Sequence, residues 1–318
     1  MVFTIVVAKT RGFCWGVKRA IKGAEGVRKR ADEPIFVFGH LVHNQQVVDE
    51  LGREQILVLT SPGEVDKKAP GQKVLITAHG IGPDMRSHLE HLVGKDNLVD
   101  MTCPIVENVH KAAEELVAEG RKMVLIGGPR SHAEVRGIIE VLRGRVFLLK
   151  DTSEVPNIPF GDRDRIGVIA QTTFDEQKVV EILAAMCKRY SGADQVKYVS
   201  KPSVVNPDYP SAICDDIAKK QRELRELGKD CDAVIVVGDP ESSNTSTLAK
   251  IAREELKKRT AFVPDSRGLD QSFLTGVSRV FLTAGASTPG SSVRSVLNWL
   301  EAAGGIREAQ GDLEEENP

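Results

Sequence analysis

Six times along this chain a short β-branched apolar run stops at a cluster of Gly, His, Ser or Asn and gives way to helical periodicity. The first three runs are residues 35–38 ahead of Gly39-His40-Leu41-Val42-His43-Asn44, 74–77 ahead of Ala78-His79-Gly80, and 123–126 ahead of the loop at 127–134. The others are 166–169 ahead of Ala170-Gln171-Thr172-Thr173, 234–237 ahead of the loop at 238–244, and 280–283 ahead of Ala284-Gly285-Ala286-Ser287. A short apolar run bounded by turn residues has the pattern of a strand buried on both faces, and strands alternating with helices make parallel sheets. The chain is therefore expected to be α/β, with ligand sites beyond the carboxyl ends of its strands. The six polar loops fall at those ends.

Three of the five cysteines punctuate these units, each at the start of a helical pattern. Cys14 precedes apolar residues at Val17, Ala20, Ile21, Ala24 and Val27. Cys103 precedes Pro104, a favoured first helical residue, and then Ile105, Val106, Val109 and Ala113. Cys214 precedes Ile217, Leu224 and Leu227, with Gly228 as a helix stop. Each cysteine is followed by two strand-loop units, so the chain reads as one cysteine-headed module repeated three times. The modules expected are 1–101 with Cys14, His43 and His79, then 102–209 with Cys103, His132, Glu134 and Thr172, then 210–303 with Cys214, Ser242, Asn244 and Ser287. A boundary falls in the Pro-containing stretch at 201–210, and the polar, acidic tail at 304–318 is expected to be disordered. Three similar modules with small parallel sheets, set as a pseudo-threefold trefoil, would bring three cysteines and six loops to one central site.

A thiolate at a helix N-terminus is stabilised by the local positive potential and unbonded N–H groups, so these three cysteines are expected to have depressed pKa values, which suits metal ligands. Three thiolates fit an iron-sulfur cluster in which one iron has no protein ligand and is open to a substrate oxygen. The plain alternative is three buried core thiols. Cys187, on an apolar face with Val179, Val180, Leu183 and Met186, and Cys231, before a strand, read as structural. His43, His79 and His132, with Ser242, Ser243, Asn244 and Ser287, lie where helices begin, the place where phosphate oxygens are held, although each alone is an ordinary loop or cap residue. Glu134 is the carboxyl group placed to deliver a proton, with Thr172 and Thr173 able to orient it or a substrate; its plain reading is a first-turn glutamate facing water. His40, His88, His91 and His110 have no such context.

A net charge of -2 gives no global attraction to nucleic acid or to an acidic membrane. No apolar run approaches the roughly 20 residues of a membrane span, and the start of the chain lacks the features of a signal peptide, so a cytoplasmic protein is expected. An odd, scattered set of cysteines does not form a disulfide framework.

Taken as a set, Arg11-Gly12-Phe13-Cys14-Trp15-Gly16-Val17, Val42-His43-Asn44, Ala78-His79-Gly80, Thr102-Cys103-Pro104, His132-Ala133-Glu134-Val135, Gln171-Thr172-Thr173, Ile213-Cys214, Ser242-Ser243-Asn244 and Thr283-Ala284-Gly285-Ala286-Ser287 resemble the motifs of the 4-hydroxy-3-methylbut-2-enyl diphosphate reductase family. The resemblance runs from about residue 5 to about residue 300 in family order. It implies a trefoil of three α/β modules around a 4Fe-4S cluster on Cys14, Cys103 and Cys214. It further implies a diphosphate pocket at His43, His79, His132, Ser242, Ser243, Asn244 and Ser287, a proton-donating Glu134, and a substrate-hydroxyl threonine at Thr172 or Thr173. The implied reaction is a two-electron reductive dehydroxylation giving isopentenyl and dimethylallyl diphosphates, with ferredoxin or flavodoxin as electron donor. The chain departs from the family pattern at Gly127-Gly128 and Ala133, at Cys214-Asp215-Asp216, and at Pro240-Glu241. Two further readings stay open: a divergent paralogue with the same cluster and another substrate, and a non-redox anion-binding protein with zinc on its cysteines.

Overall fold

The computed structural model describes residues 2–199 and 213–308, so the expected boundary at 201–210 and the chain from residue 309 lie outside the described residues. In chain order the helices are α1 (Trp15–Arg28), α2 (Gln45–Arg53), α3 (Pro62–Lys68), α4 (Pro83–Val93), α5 (Pro104–Ala118), α6 (Ala133–Val141), α7 (Glu176–Arg189), α8 (Asp215–Gly228), α9 (Ser243–Lys250) and α10 (Gly290–Ala302). No helix among the described residues is long and apolar enough to cross a membrane. Two compact units emerge, one drawing on Met1–Val17, His43–Val47 and the chain from Asp216, the other on Lys18–Val42 and Val48–Asp215.

The sheets are entirely parallel. Numbered along the chain, the strands are β1 (Phe3–Val7), β2 (Ile35–Phe38), β3 (Ile56–Leu59), β4 (Val74–Ile76), β5 (Leu98–Asp100), β6 (Lys122–Ile126), β7 (Val146–Leu149), β8 (Ile166–Ala170), β9 (Val196–Tyr198), β10 (Ala233–Val237), β11 (Arg259–Val263), β12 (Arg279–Ala284) and β13 (Gly305–Arg307). The second unit holds two four-stranded sheets, ordered β3-β2-β4-β5 and β7-β6-β8-β9. The first unit holds one five-stranded sheet, ordered β11-β10-β12-β1-β13.

One strand order therefore recurs three times, and its two inner strands are the six apolar runs. The fourth strand of each set, β5, β9 or β1, is the one after which the chain runs on to Cys103, Cys214 or Cys14. The cysteine thus closes a sheet rather than heading one. The closing strand of the third set comes from the chain's own beginning: Thr4 pairs with Arg279 and Val7 with Leu282.

The tail also starts differently from its expected disorder, because residues 305–307 form β13 beside β1. Gly305 makes this approach possible: a Cβ there would stand 2.6 Å from Ile5 Cδ1 and 2.9 Å from the Leu300 carbonyl. Only a residue without a side chain lets the backbone come so near.

Burial on both sheet faces explains the continuous apolar runs. In the first unit Ile5, Val7, Ile235, Val237 and Leu282 pack against Val293, Val296 and Leu300 of α10. The alternate residues Val6, Val234, Val236 and Phe281 pack against Leu224 of α8 and Leu248 of α9. In the second unit Met123, Leu125 and Ile169 join Val109, Ala113 and Leu116 of α5 and Val135 and Ile138 of α6 in one core. Each such Val, Leu, Ile, Met or Phe side chain is worth about 1.5–3 kcal/mol when fully buried. That shared core fixes the helix that begins after Cys103 against the helix that carries Glu134.

Candidate functional site

Each of the three cysteines makes the same backbone bond. The N–H groups of Cys103, Cys214 and Cys14 donate to the carbonyls of Ala78, Thr172 and Ala286, each at 3.0 Å. These acceptors each stand two residues beyond the end of the neighbouring inner strand, β4, β8 or β12. The sheet repeat thus extends into the loops and places every cysteine directly before a helix.

All three thiols are reduced and half-buried. The Val17 N–H donates to Cys14 Sγ at 3.4 Å. Cys103 is the N-cap residue of α5, with Pro104 as the first helical residue. Burial pushes the Cys103 thiol above its usual value, which overturns the depressed pKa expected for it. The N–H groups of Ile105 and Val106 pull the other way, Glu134 adds to the rise, and the Arg19 guanidinium opposes it. Loss of hydration here outweighs the helix N-terminus.

Reduced sulfurs that meet helix N–H groups have the chemistry of thiolate ligands, whose negative charge a bound metal and those N–H groups would offset. On that ground the residues fit a thiolate-bound cluster. Among the described residues, no three His, Cys, Asp or Glu side chains gather tightly enough to hold a single metal ion. The other two cysteines divide: Cys231 is buried and donates to the Leu227 carbonyl, whereas Cys187, expected on an apolar face, is exposed.

Glu134 lies in the first turn of α6 yet is only 1% exposed, so it does not face water. Its Oε1 accepts the Thr172 N–H at 2.6 Å, and its Oε2 accepts the Thr172 hydroxyl at 3.1 Å. Burial raises its pKa to about 7, against the lowering effect of the two Thr172 bonds. A carboxyl group in this state is about half protonated at neutral pH and can give up or take a proton there with little cost.

Around this pair the second unit brings together His79, His132, Thr172 and Thr173. His132 is the N-cap residue of α6, and its ring meets that of His79 edge-on with centroids 6.0 Å apart. Gln171, which was not singled out from the sequence as a site residue, ties the group together. Its Oε1 accepts the Gly128 N–H at 2.8 Å, and its Nε2 donates to Thr173 Oγ1 at 2.8 Å while lying 3.3 Å from His132 Nε2. Its position at the end of a buried apolar strand was the available signal: a fully buried amide there needs partners.

The first unit assembles the remaining candidates, Cys14, His43, Ser242, Ser243, Asn244 and Ser287. Ser242 caps α9 by accepting the Thr245 N–H, and Ser287 donates its hydroxyl to the His43 carbonyl at 3.0 Å. Asn244 is 3% exposed, and neither its Nδ2 nor its Oδ1 has a hydrogen-bond partner among the described residues. Leaving an amide dry and unbonded is costly to the fold by itself. The loops after β10 and β12 meet closely at two glycines. A Cβ on Gly285 would stand 1.9 Å from Thr245 Oγ1, and one on Gly238, whose φ is +143°, would stand 2.5 Å from Thr288 Oγ1.

The departures near Cys214 and Glu241 also find places. Asp216 pairs with Lys220, which is 1% exposed, so its charge is matched locally. Glu241 is exposed, and its N–H donates to Asp239 at 2.9 Å.

Residues 5–301 match the family described as LytB protein. A 4-hydroxy-3-methylbut-2-enyl diphosphate reductase from Anaeromyxobacter sp. (strain Fw109-5) is 33% identical over 297 residues, spanning 93% of this chain and 96% of that one. The protein of the same name from Neisseria meningitidis serogroup B (strain ATCC BAA-335 / MC58) is 32% identical over 312 residues, spanning 97% and 91%. Among solved structures, the E-1-hydroxy-2-methyl-but-2-enyl-4-diphosphate reductase from Plasmodium falciparum aligns with a TM-score of 0.84 at 24% identity, covering 100% of this chain and 96% of that one, and attests the fold. A structure of (E)-4-hydroxy-3-methyl-but-2-enyl diphosphate reductase, described as the terminal enzyme of the non-mevalonate pathway, aligns with a TM-score of 0.62 at 28% identity, covering 95% and 100%. With the match spanning nearly the whole chain, this protein belongs to the LytB family.

Proposed function

We propose that this chain reduces 4-hydroxy-3-methylbut-2-enyl diphosphate to isopentenyl and dimethylallyl diphosphates. The observation that carries the reading, beside the family, is the buried Glu134 carboxyl with a pKa near 7, bonded by Thr172 in the unit that also holds Cys103 and Cys214. Removing an allylic hydroxyl takes two electrons and two protons and releases water, so the site needs a proton donor that is charged at neutral pH only part of the time.

A 4Fe-4S cluster held by Cys14, Cys103 and Cys214 supplies the electrons and a Lewis-acidic iron when bound. Ferredoxin or flavodoxin is the proposed electron donor. In this reading His43, His79, His132, Ser242, Ser243, Asn244 and Ser287 hold the diphosphate, with the buried Asn244 amide offering it an unused N–H pair. Glu134 delivers a proton toward the departing hydroxyl or the allyl group, and Thr172 keeps both carboxyl oxygens oriented. Thr173, bonded to Gln171, stands ready for the substrate hydroxyl.

The local pairing of Asp216 with Lys220 favours this substrate over the divergent-paralogue reading, because that carboxylate has its own counter-charge. An anaerobic assay of the cluster-loaded protein with the diphosphate and a low-potential reductant tests the assignment. Turnover to the two five-carbon diphosphates is expected. A loaded protein that does not turn over would overturn it.

A further inference from the structure

Arg19 has no part in the site described above, yet it is the cation nearest in effect to Cys103. It is half-buried on α1, and its Nη1 donates to the Met101 carbonyl at 3.2 Å and to the Thr102 carbonyl at 3.1 Å. Four residues along the same helix face, Gly23 makes room for Met101: a Cβ there would stand 2.6 Å from its Sδ. The helix is therefore seated on the two residues that lead directly into the cysteine.

The same segment is held independently of α1. Asp100 accepts the Thr102 N–H at 2.8 Å and its hydroxyl at 2.5 Å, and it pairs with Arg86 of α4. Asp100 and Arg86 form a neutral pair that fixes the backbone. Among the described residues Arg19 bonds only to neutral carbonyls there, so it brings a positive charge with no ion-pair partner to the segment. A glutamine could donate to the same carbonyls, and the presence of arginine therefore points to a use for the charge.

We propose that Arg19 is a positioning residue that raises the reduction potential of the metal centre bound through Cys103. The proposal rests on the reading that Cys103 is a cluster ligand. Reduction adds negative charge to a cluster, and a cation pinned nearby in a half-buried place stabilises the reduced state more than the oxidised one.

The test is a spectroscopic redox titration of anaerobically reconstituted wild-type protein, Arg19→Gln and Arg19→Lys. Arg19→Gln is expected to be reduced about tenfold less favourably at a given potential, equivalent to about 59 mV for one electron. Arg19→Lys, which keeps the charge, should titrate close to wild type. An unchanged potential in Arg19→Gln overturns the proposal, as does an equal shift in both variants, which would assign the effect to the guanidinium's bonding geometry. If Arg19→Gln does not load, Arg19→Lys decides: loading with a near wild-type potential supports the charge role, and failure to load overturns it. Wild-type protein that takes up no cluster overturns the underlying reading and this proposal with it, a result distinguishable because it precedes any substitution.

Discussion

Thr172 bonds both oxygens of Glu134, its N–H to Oε1 at 2.6 Å and its hydroxyl to Oε2 at 3.1 Å. The pair links α6 to the loop after β8, the loop whose carbonyl also receives the Cys214 N–H. Glu134→Gln preserves the shape of the side chain and removes its titration. Turnover should fall by about 10²–10⁴-fold, the usual share of a proton donor, with a cooperative unfolding transition retained. Steady-state kinetics beside a denaturant melt check this, and a fully active variant contradicts the role.

The raised pKa also gives a pH dependence with a definite sign. Glu134 moves from an ordinary 4.5 to about 7, so between those values the folded protein holds a proton that the unfolded chain has released. Its contribution to stability is full below about pH 4.5 and is lost as pH rises through about 7, at about 1.4 kcal/mol per unit and on the order of 3 kcal/mol altogether. Urea unfolding at pH 5 and pH 8 should show this loss in wild type and its absence in Glu134→Gln. Equal pH slopes in the two proteins contradict it.

Thr172→Val removes one of the two bonds that favour the ionised carboxylate. The Glu134 pKa should rise further, moving the alkaline limb of the kcat profile to higher pH. A limb that stays in place or moves down would show that the hydroxyl does not act on this carboxyl.

Asn244→Ala separates binding from folding. The buried amide makes no hydrogen bond among the described residues, so its removal should change stability by no more than about 1 kcal/mol. Loss of a bond to a charged ligand should raise KM for the diphosphate about 10-fold or more. Thermal melts and KM measured on the same preparation check both halves; a large loss of stability with unchanged KM would assign Asn244 to the fold.

Gly285→Ala should fail for packing reasons. A methyl group would meet Thr245 Oγ1 at 1.9 Å, forcing the start of α9 away from the loop after β12. A destabilisation of about 1–3 kcal/mol is expected in a denaturant melt, partly relieved by adding Thr245→Ala, since the Cβ of residue 245 would still stand 2.9 Å away.

What the sequence made legible follows burial. The six inner strands were visible because β4, β8 and β10 are buried at every residue and β2, β6 and β12 at all but one, leaving an uninterrupted apolar signal. The edge strands β5 and β9 are only half-buried and read Leu-Val-Asp and Val-Lys-Tyr, too short and mixed to stand out. Nothing local in β1 or β13 announces that they join a sheet whose other strands begin at residue 233, since that pairing spans most of the chain.

The candidate site was legible where a residue type carries unusual chemistry, as with the three cysteines before helices. Gln171 and Arg19 acquire meaning only from the groups that folding brings to them. The expected fall in the Cys103 pKa failed because sequence spacing reveals the helix N-terminus and not the loss of hydration around it. Trp15, 63% exposed beside Cys14, is explained by nothing in the structure.

The most direct measurement is the iron and acid-labile sulfide content of anaerobically prepared protein, with absorption spectra taken before and after addition of the diphosphate substrate. About four irons and four sulfides per chain are expected, with a spectrum that changes on substrate addition and with Cys103→Ser unable to retain the full complement. A colourless protein holding zinc, without iron or sulfide and indifferent to the diphosphate, would contradict the assignment of Cys14, Cys103 and Cys214 to one reductive centre.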